Sequence, residues 1–109
     1  MADIELKVSQ KVLAGEKTAD SYVVPSGDNA LIYYFEGSAP DSPLTVVRLV
    51  WDFGGVGEED LWVLQRQGIM PNREFSTKVI GDGVKKLAVV CDNGCTSDYY
   101  FNAFAKVKV

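Results

Sequence analysis

Apolar and polar residues alternate with a period of two along most of this chain. Ile4, Leu6 and Val8 alternate with Asp3, Glu5, Lys7 and Ser9, which predicts a strand with one buried and one wet face. Residues 12–19 read as a small-residue link around Gly15, and Tyr22-Val23-Val24 as a short strand stopped by Pro25. Ser26-Gly27-Asp28-Asn29 supplies turn chemistry. Leu31 to Phe35 is a third strand, and Pro40 and Pro43 exclude a helix from the loop after it. Leu44 to Phe53 is the longest apolar strand. Val47, Leu49, Trp51 and Phe53 share one of its faces, and Val46 and Val50 accompany Arg48 and Asp52 on the other. Apolar residues on both faces predict a central strand. Leu61 to Arg66 is the next strand, ended by a break at 68–72.

In the last third, Phe75–Ile80 and Val84–Cys91 flank Asp82-Gly83, a two-residue hairpin signal. Tyr99–Val109 follows after the Asn93-Gly94 turn, and the three strands are expected to form a meander. In the final strand Tyr99, Phe101, Ala103, Ala105, Val107 and Val109 point inward, leaving Tyr100, Asn102, Phe104, Lys106 and Lys108 outward. No segment shows a helical period. About eight strands with regular turn signals predict an all-β fold, an antiparallel β-sandwich of Ig-like or jelly-roll type. A small closed β-barrel is the alternative. One domain is expected to span residues 1–109.

Composition narrows the function classes. Apolar residues make up 47% of the 109 positions, enough for a core without metal or disulfide staples. The formal net charge of −4 disfavours nucleic acid and anionic membranes as partners. No stretch reaches the roughly 18 apolar residues of a membrane span. No basic-then-apolar leader precedes the first strand pattern, so the expected location is the cytoplasm or an assembled particle. Cys91 is expected buried on a strand and Cys95 in the turn beyond it, with a local disulfide as the alternative in an oxidising compartment.

Catalytic chemistry is hard to build from this sequence. The chain has no histidine, which removes the commonest general base and the Ser-His-Asp and Cys-His arrangements. It has no nucleophile elbow and no phosphate-cradling glycine loop that precedes a helix. The chain is therefore expected not to be an enzyme.

Two candidate binding features remain. Asp52, Glu58, Glu59 and Asp60 bracket the glycines of a loop. Such a loop can offer calcium several carboxylates and carbonyls, although the spacing is not that of an EF-hand. Trp62, Tyr100 and Phe104 are the candidate ligand or interface aromatics among twelve aromatic residues. Tyr100 and Phe104 sit on the polar face of the last strand, where a ring has no core to fill, and exposed rings anchor protein interfaces or stack on sugars. Lys106 and Lys108 either guard an edge strand against unwanted pairing or wet the surface of a central one. The expected function is a non-catalytic interaction or structural module that binds a protein partner or itself, in an oligomer or a virion-like assembly. The alternative is a glycan- or calcium-dependent ligand-binding domain.

Overall fold

A computed structural model describes residues 3–39, 44–65, 68–69 and 77–109. The described residues form nine strands. These are β1 (Asp3–Val12), β2 (Lys17–Val23), β3 (Asn29–Ala39), β4 (Thr45–Trp51), β5 (Glu59–Gln65), β6 (Gly68–Ile69), β7 (Thr77–Ile80), β8 (Lys86–Asn93) and β9 (Tyr99–Lys108). They make two antiparallel sheets. The first has the order β1-β9-β3, with β6 and β7 both pairing the far side of β3, and the second has the order β2-β8-β4-β5. No strand pairing joins the two sheets among the described residues, so the architecture is a β-sandwich and not a closed barrel.

The core lies between the sheets and is built by the alternation in the sequence. Leu6, Val8, Ile32, Phe35, Phe101, Ala103, Ala105 and Val107 face inward from the first sheet, and Val47, Leu49, Leu87, Val89 and Cys91 from the second. As expected, β4 is central, between β8 and β5. The inward set of the last strand also follows the pattern, except that Tyr99 is 38% exposed at the strand's start. That strand is central, with β1 on one side and β3 on the other. Lys106 and Lys108 therefore do not guard an edge.

The C-terminal meander is not formed. β7 pairs with β3 in the first sheet, β8 lies between β2 and β4 in the second, and β9 returns to the first. The Asp82-Gly83 turn is real, but it carries the chain between sheets. Asp82 Oδ1 accepts the amides of Val84 and Lys85, and Gly83 has a φ of 84°, which only glycine adopts without strain. The turn is stitched to the β2–β3 turn. Gly81 donates to the Asp28 carbonyl and Gly83 to that of Val24, and Gly27 donates to the carbonyl of Gly81. A Cβ on Gly81 would collide with the Pro25 carbonyl. Local turn chemistry is thus satisfied by an arch as well as by a hairpin, and the close fit to the neighbouring turn selects the arch. Among the described residues, β4 and β5 are the one pair of consecutive strands that bond to each other.

Phe53 also departs from expectation. Asp52 takes a φ of 58°, which breaks the strand alternation. Phe53 consequently packs on the outer face of the second sheet against Val50, Ala88 and Val90, while Trp51 stays against the main core.

Cys91 is buried, Cys95 is half-buried beyond β8, and no disulfide joins them. Burial, then the neighbouring Asp92, pushes the Cys91 thiol up to about 12. The folded state thus keeps this thiol protonated where an unfolded one ionises, near about 8.5. Its contribution is complete below that value and is lost as pH rises from there towards about 12. In a thiol titration at pH 8, one equivalent is expected to react in the native protein and the second only after unfolding. Two fast equivalents in the native protein would contradict this placement of Cys91.

Candidate interaction surface

The outer face of the β1-β9-β3 sheet is laid out by register. Successive cross-strand rows read Glu5, Lys106 and Tyr34, then Lys7, Phe104 and Glu36, then Ser9, Asn102 and Ser38, with Lys11 beside Tyr100 at the end. All these positions have the outward parity of their strands. Phe104 is half-buried and Tyr100 is 58% exposed. They stand two rows apart on β9, about 13 Å along the strand, separated by Asn102.

A β-bulge extends this aromatic surface. The pairing of β3 with β9 shifts between Ile32 and Tyr34, so Tyr33 is an extra residue opposite the ladder. Both tyrosines consequently lie beside outward lysines of β9. Lys108 Nζ sits 5.3 Å from the Tyr33 ring centre, and Lys106 Nζ sits 5.3 Å from that of Tyr34 and 5.7 Å from that of Phe104. Tyr34 and Phe104 meet edge to face at 5.9 Å. Burial, then Asp3 and Glu5, raises the Tyr33 hydroxyl above the ordinary tyrosine value. Polar partners fix the other end. Ser9 Oγ lies 3.0 Å from the Tyr100 hydroxyl and donates to Asn102 Oδ1 at 2.8 Å, and Tyr34 donates to Glu36 at 3.0 Å. Tyr33, Tyr34 and Glu36 are the residues of this face that the sequence reading missed. The run Tyr33-Tyr34-Phe35 carried the signal, because three consecutive rings cannot all point inward from a regular strand.

The neighbouring edge is blocked at one backbone donor. The Lys7 amide of edge strand β1 donates to Asp20 Oδ2 on β2 at 2.9 Å. This occupies a backbone donor that another strand could otherwise have paired.

Trp62 does not join these aromatics. It lies on β5 in the other sheet, opposite Leu49, and packs against the core. It shares the inward face of its cross-strand partner Leu49, and the register slip just beyond, between Leu49 and Val50, leaves Leu61 as the extra residue.

The side chains of the acidic loop are partly engaged within the protein. Asp52 Oδ2 accepts the Gly57 amide at 3.1 Å, and Glu58 Oε2 accepts that of Gly54 at 2.8 Å. Arg48 reaches Asp92 at 2.8 Å, Asp60 at 3.0 Å and Glu58 at 3.7 Å. Burial alone would lower the Arg48 pKa, but Asp92 and then Asp60 hold it raised, so the guanidinium stays charged. Two of the four candidate carboxylates therefore already face a cation, and Glu59 begins β5 opposite Trp51. Among the described residues, no group of three or more acidic, cysteine or histidine side chains is arranged to hold a metal ion. A shallow depression of about 440 Å³ lies nearby, lined by Gly15, Glu16, Lys17, Asp92, Asn93 and Gly94. The Asn93 side chain there is committed to Val12, Ser97 and Cys95.

The sequence matches no protein-family model, and no curated protein is significantly similar to it.

Proposed function

We propose that the chain is a non-catalytic interaction module that binds protein through the outer face of the β1-β9-β3 sheet, as one subunit of an oligomer or larger assembly. The observation that carries this reading is the aromatic stripe of Tyr33, Tyr34, Phe104 and Tyr100 on two central strands, facing away from the core. These rings lie outside the buried core, and rings so placed are favoured anchors at protein interfaces. Lysines capping three of the four rings leave a mosaic of apolar and charged groups. Such a mosaic suits a protein better than a sugar, which needs open ring faces on which to stack.

The test is molar mass in solution, by light scattering behind a sizing column over a wide concentration range. The wild-type chain is expected at a fixed multiple of 11.9 kDa, and Phe104→Ser is expected to fall to the monomer with its fold intact. A wild type that stays monomeric at every concentration and binds on a glycan array, with Phe104→Ser abolishing that binding, would replace this reading with the glycan one.

A further inference from the structure

We infer that the occupant of this face is a second copy of the chain, docked about a two-fold axis so that the strands of the two copies run in opposite directions. The inference rests on the protein-binding reading above and names its partner. Charge order along β1 is the main support. Its outward residues run Asp3, Glu5, Lys7, Ser9, Lys11, acidic in one half and basic in the other. A two-fold that reverses the strands lays the acidic half of one β1 over the basic half of its partner. The same rotation brings the Lys106–Lys108 half of β9 over the Asn102–Tyr100 half, where an ammonium meets an aromatic ring. Phe104, in the same row as Lys7 near the middle of the face, then packs close to its own copy.

Three further observations agree. The three strands present Lys7, Lys11, Lys106 and Lys108 against Asp3, Glu5 and Glu36, so the excess acid of the chain lies elsewhere and the face itself is nearly neutral. The Lys7 amide at the β1 edge is already taken by Asp20, which hinders edge-to-edge extension at that point. The molecule is a slab of 42 × 28 × 19 Å. Its broad side has room for the roughly 800 Å² per partner of a standard interface. A self-complementary patch related by a two-fold is also the commonest way in which identical chains associate.

Charge reversal tests the arrangement. Mass and dissociation constant are measured by sedimentation equilibrium for wild type, Asp3→Lys, Lys11→Asp and the double variant. Wild type is expected at twice 11.9 kDa. Each single change is expected to weaken the dimer tenfold or more, and the double change to return it to within about threefold of wild type. Asp3→Arg with Lys11→Glu repeats the swap with other side chains, so that a variant that fails to fold does not decide the matter. A dimer in which neither double change restores affinity would overturn the reversed registry, and so would an assembly of another size, while the protein-binding reading stands. A wild type that is monomeric throughout would overturn both.

Discussion

Phe101→Ala is expected to cost about 4 kcal/mol of stability, while Phe104→Ser, three residues along the same strand, is expected to change stability by less than about 1 kcal/mol. Phe101 is fully buried and is among the largest side chains of the core, with Phe35. Truncation removes its transfer free energy and leaves a cavity between two sheets that cannot fully close. Phe104 loses only its edge contact with Tyr34 and its position beside Lys106. Denaturant melts of the two variants, read with their molar mass, separate the roles. Phe101→Ala should lose stability first, and Phe104→Ser should lose association first. Equal destabilisation by the two substitutions would mean that Phe104 belongs to the core, and the outer face would lose its anchor.

The second large effect is expected at Asn93, which is 1% exposed at the end of β8. Its amide nitrogen donates to the carbonyls of Val12 and Ser97, each at 2.9 Å, and its oxygen accepts the Cys95 amide at 2.9 Å. One side chain thereby ties the end of β1 to the loop that leads into β9. Asn93→Ala leaves the buried Val12 carbonyl without this donor and frees two loop groups, for about 3 kcal/mol in total. Asn93→Asp keeps the acceptor but replaces the donor with a carboxylate, and is expected to cost as much. Thermal melts check both, and a loss below about 1 kcal/mol would show that water substitutes for the amide. Since Val12 pairs with Tyr99, loosening this junction should also disturb Tyr100 at the adjacent position.

The inward and outward sets of β1 and β9 were legible in the sequence because a strand buried on one face writes its orientation as strict alternation. Strand order was not, since pairing partners are chosen by contacts far apart in the chain. Asp82 and Gly83 illustrate the limit. A turn there is a local property and does form, but only Gly83 of the two residues takes the positive φ that a two-residue hairpin turn asks of both, and whether the chain closes a hairpin or arches between sheets depends on Val24 and Pro25, more than fifty residues upstream. Phe53 was misplaced because alternation was carried through Asp52, whose left-handed backbone ends it. The candidate site was half visible. Tyr100 and Phe104 stood out as rings on a polar face, whereas Tyr33 and Tyr34 were brought beside them by a bulge. That Glu58 and Asp60 of the acidic loop share Arg48 with Asp92 was not legible, because Arg48 and Asp92 lie on strands far apart in the chain.

The most direct test of the central claim, that the β1-β9-β3 face is where this chain meets protein, is a concentration series of backbone amide spectra. As the protein is concentrated from the monomer, shifts are expected to cluster on Glu5, Lys7, Tyr34, Glu36, Asn102, Phe104 and Lys106, with Arg48, Val50 and Val90 on the opposite outer face unmoved. Shifts confined to that second face, or to the β5 edge around Val63, would place the interface elsewhere and contradict the claim.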